Sequence, residues 1–217
     1  MKENYQIILE KILKKDDNDN QVKRLLLHVC CAPCSSYCLE YLACHYSIDV
    51  YFYNPNITDM DEYKKRANEL VRFVDEFNSR FEGTVSENEN KIYKKVNVIL
   101  GAYEPDKFFD MAKGLEQAPE GGSRCKKCYE LRLRQSANVA KEGEYDYFTT
   151  SLSISPYKNA QWLNEIGRDL VTEFGVNYLF SDFKKKNGYK RSIELSNEYD
   201  LYRQDFCGCV YSKRNIQ

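Results

Sequence analysis

Apolar positions along the chain alternate between two periods. Residues 1 to about 15 carry Ile7, Ile8, Leu9, Ile12 and Leu13 at helical spacing, and the polar run "KDDNDN" then reads as a solvated loop. "RLLLHV" is a short, nearly continuous apolar run, the pattern of a strand buried on both faces. "SSYCLEYLACHY" predicts a helix with a Ser cap, and "IDVYFYNPNI" a second strand ending in an Asn-Pro turn. In "DEYKKRANELVRFVDEF", Tyr63, Ala67, Leu70, Val74 and Phe77 recur at helical intervals, which makes an amphipathic helix.

The same alternation continues to the C-terminal part. A strand is expected near "VNVIL" and a helix from about Pro105 to Leu115, followed by the loop "EQAPEGGS", whose Ser123 is placed to cap the next helix. "YDYFTTSL" gives a strand, "SPYKNAQWLNEIGRDLVTEF" a helix with Pro156 in its first turn, and "VNYLFSDF" a last strand. Strands and helices in this order imply an α/β fold with a mostly parallel sheet flanked by helices. Reactive loops then belong at the carboxyl ends of the strands, where "CCAPC", "YNPN", "SLSISPYK" and "SDF" fall. No repeat, low-complexity tract or linker interrupts the pattern, so one domain is expected over 1–217. Within it, 1–20 forms an N-terminal helix and loop, 117–142 a helical insertion carrying "CKKC", and 203–217 a tail carrying "CGC".

Charge narrows the partners. Lys and Arg number 32 against 33 Asp and Glu, a formal net charge of −1, so any RNA contact must come from a local patch. Such a patch is visible after the last strand, where Lys184, Lys185, Lys186, Lys190 and Arg191 are interleaved with Phe183 and Tyr189; Lys158 in "SPYKN" adds to it. A solvated charged face, or an Arg191 paired with Glu194, accounts for the same pattern equally well. No stretch reads as a signal peptide or a membrane span, and the expected location is the cytoplasm, with no membrane partner.

Nine cysteines are the strongest chemical feature. A reducing compartment argues against a disulfide framework and towards metal or redox chemistry. Cys30, Cys31 and Cys34 form one group, Cys125 and Cys128 a second, and Cys207 and Cys209 a third, while Cys38 and Cys44 read as small apolar core residues. A single CxxC serves zinc, iron–sulfur clusters and thiol redox alike, but three groups together narrow the choice. Only His28 and His45 could complete a Cys/His zinc site, and successive cysteines are expected to point apart, which suits a polynuclear cluster better than one tetrahedral ion. Cys207 and Cys209 lie too close for a relaxed disulfide, leaving a redox-active pair, a metal chelate, or both. Where nucleotide-binding folds of this class carry a Gly-rich phosphate loop after the first strand, this chain has "CCAPCSS".

"LLLHVCCAPCSS", "FYNPNI", "RCKKCYELRL", "TTSLSISPYKN", "DFKKKNGYKRSIELS" and "YRQDFCGCVYS" together resemble the QueH family of epoxyqueuosine reductases, from about Leu25 to Ser212. The resemblance implies a Rossmann-like fold akin to the adenine-nucleotide hydrolase group. It implies reduction of epoxyqueuosine to queuosine at the wobble base of tRNA without cobalamin, a [4Fe–4S] cluster, and a second iron or redox centre beside it. Carried over by position, it makes Cys30, Cys31, Cys125 and Cys128 the cluster ligands and matches Cys207 and Cys209 to the family's second pair. Some members have Asp where this chain has Cys34, which fits a ligand to a second iron shared with Cys207 and Cys209. Asp182 and Tyr157 are the candidate proton donors, each with a plain structural alternative, and Lys158, Lys185, Lys190, Arg191 and Asn54 the candidate contacts to tRNA. The electron donor has no signature. Two rival readings are a non-catalytic iron–sulfur or zinc RNA-binding module and a thiol-dependent tRNA sulfurtransferase; the latter needs a phosphate loop that "CCAPCSS" does not supply.

Overall fold

The computed structural model describes residues 3–19, 21–87 and 89–215, the last three without their side chains, so the extreme ends of the expected 1–20 and 203–217 segments lie outside the described residues. Five strands form one wholly parallel sheet: β1 (Arg24–Val29), β2 (Ser47–Phe52), β3 (Asn97–Leu100), β4 (Tyr147–Thr150) and β5 (Asn177–Tyr178), in the order β3-β2-β1-β4-β5. β1 is central, with Leu25 in register with Ile48 on one side and Tyr147 on the other, which is why its sequence is apolar at nearly every position. The strand order reverses between β1 and β4, and the crevice at their carboxyl ends is where this architecture places ligands.

Helices cover both faces. Leu25, Leu27 and Val29 point to a layer containing α1 (Tyr5–Asp16), α2 (Ala32–Leu42), α3 (Met60–Phe81) and α7 (Gly188–Glu198). Leu26 and Phe148 point to the opposite layer, formed by α5 (Ser123–Glu142) and α6 (Ala160–Phe174), while α4 (Pro105–Ala112) packs against α5. Asp59 caps α3 by accepting from the backbone N–H groups of Asp61 and Glu62 at 3.0 and 3.1 Å. Cys38 and Cys44 are buried core residues, as their setting predicts.

Several boundaries differ from the sequence expectation. α2 starts at Ala32 with Cys31 in the cap position and Pro33 in its first turn, so the "CCAPC" loop is the strand end joined directly to a helix, and Ser35 and Ser36 lie inside it. Their hydroxyls bond back to the carbonyls of Ala32 and Pro33 at 2.9 Å each. Gly122, not Ser123, precedes α5, and α6 begins after Asn159, whose side chain accepts from Trp162 N at 3.2 Å; Pro156 lies in the preceding turn. The last strand pairs over only two residues. Beyond Leu179 a side chain takes over the hydrogen bonding: Asn164 Oδ1 accepts from Ser181 N at 3.0 Å and its Nδ2 donates to Ser181 O at 2.9 Å.

The basic tract after that strand folds into α7, which the polar pattern did not announce. It packs closely on α2 through Gly188, where a Cβ would come 2.0 Å from Phe183 O and 2.5 Å from the Tyr37 ring. At the sheet's centre His28 is fully buried, its Nδ1 2.8 Å from Thr150 Oγ1 and its Nε2 3.1 Å from Tyr53 O. The ring thereby ties β1 to β4 and to the end of β2, and burial holds its pKa down at about 3, so it is neutral.

Candidate thiol and metal site

Cys30 directly follows β1, Cys31 occupies the cap position of α2, and Cys34 lies in the first turn of α2. Their three sulfurs lie within 4.8 Å of one another, those of Cys30 and Cys31 3.6 Å apart, a group that can hold a metal ion. This corrects the expectation that successive cysteines point apart. The chain passes from strand to helix between them, with Cys31 fully extended at φ −175° and ψ 164°, and the change of direction brings the side chains together. Burial works against a charge on Cys31, but hydrogen bonds from Cys30, Cys34 and Gln204 outweigh it and hold that thiol well below its ordinary pKa. Cys30 is correspondingly raised to about 11 by its bond to Cys31, and Cys34 is raised by its bonds to both.

The other four clustered cysteines meet elsewhere on the same rim. Cys125 and Cys128 occupy the start of α5, and Cys207 and Cys209 come from the C-terminal tail; all four line one small cavity of about 20 Å³. Burial pushes Cys128 up to about 11 and raises Cys209. The tail is strapped down by buried polar groups: Arg66 Nη1 and Nη2 donate to Cys207 O and Phe206 O at 3.3 and 3.2 Å, and Asn56 Nδ2 donates to Cys207 O at 3.2 Å. Between the two cysteines Gly208 adopts φ +94° with no room for a side chain, since a Cβ would lie 2.8 Å from Ile57 Cγ1.

A larger cavity of about 480 Å³ opens over both groups, with Cys30, Cys34 and Cys207 in its wall. N–H groups are aimed at the sulfurs around it. Gln204 Nε2 donates to Cys31 Sγ at 2.8 Å, Gly121 N to Cys125 Sγ at 3.2 Å, and Lys158 Nζ to Cys207 Sγ at 3.7 Å. Donors of this kind favour thiolate over thiol, the state in which cysteine binds metal. Lys158 is only 11% exposed; burial opposes its charge, but Cys207 and Tyr129 hold it protonated. Arg132 lines both cavities and is buried; its Nη1 donates to Asn54 Oδ1 at 3.1 Å, while Nε and Nη2 have no hydrogen-bond partner among the described residues.

The residues singled out by sequence fall in three places. Tyr157, 77% exposed, and Lys158 both line the large cavity, the one at its rim and the other turned inward towards Cys207. Asp182 is absent from the described lining and is ion-paired with Lys184. Asn54 is buried, donating to Val29 O at 2.9 Å while it holds Arg132, so it braces the end of β1. Lys185 and Lys190 are exposed on the surface, whereas Arg191 is bound to Glu40, Glu194 and Glu198. Sequence reading missed Arg66, Arg132 and Gln204. For the two arginines a signal existed: Arg132 stands four residues after Cys128 on one helix face, and Arg66 lies within the apolar stripe of α3, where a charge demands a partner. Gln204 carries no such mark.

A parallel sheet with thiols at the switch point, where a phosphate-binding loop would otherwise sit, defines a Rossmann-like protein whose clustered thiols can hold a metal ion. The model of the family described as epoxyqueuosine reductase QueH matches residues 25–215. An epoxyqueuosine reductase QueH of Staphylococcus epidermidis is 46% identical over 211 residues, covering 96% of this chain and 84% of the relative. Its namesake in Staphylococcus aureus is 44% identical, covering 96% and 83%, and that of Thermotoga maritima 30% identical, covering 87% and 89%. The chain belongs to the epoxyqueuosine reductase QueH family.

Proposed function

We propose that this chain reduces epoxyqueuosine to queuosine at the wobble position of tRNA, and that its cysteines hold a [4Fe–4S] cluster with a second iron beside it. The observation that carries this reading is the gathering of seven cysteines in two sets at the switch point, Cys30, Cys31 and Cys34 within 4.8 Å of one another and Cys125, Cys128, Cys207 and Cys209 around one small cavity, with Cys30, Cys34 and Cys207 in the wall of the large cavity and N–H donors aimed at three of the sulfurs. The donor set fits the group. It is all sulfur, with N–H donors facing three of the sulfurs and buried cations alongside, the conditions under which iron–sulfur clusters are held and tuned.

Cys30, Cys31, Cys125 and Cys128 are the proposed cluster ligands, leaving Cys34, Cys207 and Cys209 for the second iron. Expelling the epoxide oxygen as water takes two electrons and two protons, and the iron–sulfur centre, once bound, would relay the electrons from an external reductant. The chain's own groups do the rest. Lys158 Nζ holds a proton beside Cys207, Tyr157 offers a ring at the rim on which a base can stack, and a volume of about 480 Å³ admits one nucleoside turned out of its stack. A mononuclear metal on Cys30, Cys31 and Cys34 is a second reading, favoured by the compactness of that triad.

Anaerobically purified protein is expected to be brown and to convert an anticodon stem-loop containing epoxyqueuosine, with a chemical reductant, to one lacking a single oxygen by mass. Protein that carries zinc alone and leaves the stem-loop unchanged would overturn the proposal.

A further inference from the structure

Three arginines are buried around this site, and two of them are answered by oxygen. Arg66 pairs with Glu62 at 2.6 Å and donates to two tail carbonyls; Arg124 donates to the carbonyls of Leu115, Glu116 and Ala118. Arg132 differs. Its one bonded partner is the neutral Asn54 Oδ1, two of its nitrogens lack any partner among the described residues, and no carboxylate among them lies within ion-pair distance. A buried guanidinium in that state is costly unless an anion faces it. What faces it is sulfur: Arg132 borders the small cavity with Cys128 and Cys207 and the large one with Cys30 and Cys207, so it stands where the triad and the other four thiols meet.

We propose that Arg132 is a positioning residue that balances the negative charge of the metal–thiolate centre and sets its reduction potential, its free N–H groups being the complement of a centre that carries more than one thiolate. The inference rests on the iron–sulfur reading above. A fixed cation beside such a centre favours its more negative, reduced form and raises the midpoint potential, and N–H groups directed at cluster sulfurs act in the same sense. Asn54 orients the guanidinium from Val29, tying the cation to the last residue of β1, next to Cys30.

The test is an anaerobic redox titration of iron-loaded protein without substrate, together with the rate at which a chelator removes iron. Arg132→Gln is expected to move the midpoint to lower potential and to speed iron loss by about tenfold. Arg132→Lys, which keeps the charge but removes the fork, is expected to stay near the wild-type midpoint. Asn54→Asp leaves Arg132 in place but gives it a carboxylate partner, and should lower the midpoint as Arg132→Gln does; it also serves if the Gln variant does not fold. An unchanged midpoint in Arg132→Gln, or in Asn54→Asp should only that variant fold, overturns the proposal, as does an equal shift in the Lys and Gln variants. Wild-type protein without iron would instead overturn the iron–sulfur reading itself, and metal analysis of the wild type separates the two failures.

Discussion

Lys158 Nζ lies 3.7 Å from the sulfur of Cys207, on the wall of the large cavity and almost wholly shielded from solvent. A cation so placed is poorly suited to grip a phosphate on a tRNA surface and well suited to hold a thiolate or deliver a proton. Lys158→Met is therefore expected to lower turnover by about 10²-fold or more, the range for loss of a positioned acid or base, while affinity for an anticodon stem-loop stays within a few fold. Single-turnover kinetics beside a binding titration checks this. A variant that loses binding and keeps its rate would return Lys158 to the RNA-contact role that the sequence suggested.

The cysteine pairs make separate predictions, because the structure groups Cys34 with Cys30 and Cys31 and sets Cys125 and Cys128 against Cys207 and Cys209. If the cluster is held by Cys30, Cys31, Cys125 and Cys128, the double change of Cys207 and Cys209 to Ser should keep its absorption and sulfide content and abolish reduction. Cys128→Ser should lose the cluster. Iron and sulfide analysis of the two variants decides: loss of the cluster in the tail variant would move Cys207 or Cys209 into the ligand set.

His28 makes the fold sensitive to acid. Its folded-state pKa, about 3, lies below the ordinary value of 6.5, so the unfolded chain binds the proton first. The stability contributed by the neutral ring is complete above pH 6.5 and is lost as pH falls from there towards 3, with a slope of up to about 1.4 kcal/mol per unit. His28→Gln should cost roughly 1–3 kcal/mol at neutral pH, through the bonds to Thr150 and Tyr53, and flatten the loss of stability between pH 6.5 and 4. Urea unfolding of both proteins across that range measures the difference. Parallel curves would mean other groups carry the acid sensitivity.

Much of this architecture is legible because burial, on both faces of a strand or one face of a helix, leaves an unmistakable trace. β1 and α3 show it, the one as a continuous apolar run, the other as a stripe at helical spacing. α7 was hidden because it packs on α2 through a glycine, and most of its exposed face is charged. The site was legible in its atoms and not in its grouping. Which cysteines stand together depends on the turn between Cys30 and Cys31 and on Arg66, more than 140 residues before the tail that it holds, and no local pattern encodes an interaction of that range. Asp182 shows the same limit: the sequence marks a carboxylate after a strand but not that its ion-pair partner is Lys184.

The basic tract after Ser181 divides into two kinds of charge, and the division can be tested. Arg191 is held by Glu40 on α2 and by Glu194 and Glu198 on its own helix, and its ion pairs fasten α7 in place. Lys190 is 77% exposed, with Glu194 Oε1 3.9 Å away, and Lys185 is exposed as well; both are free to meet a phosphate. α7 reaches the large cavity through Tyr189 and Ser192, the residues that flank Lys190 and Arg191 in sequence. Changing Lys185 and Lys190 to Ala should weaken binding of an anticodon stem-loop and reduce the slope of log affinity against log salt by about one unit for each phosphate that is no longer neutralised, leaving metal content unaltered. Arg191→Ala should lower thermal stability in addition, since it leaves a partly buried Glu40 unpaired. Binding titrations at several salt concentrations distinguish the two. If the double lysine variant keeps both its affinity and its salt slope, the anticodon is held by other groups, and Arg203 at the cavity wall is the next cation to change.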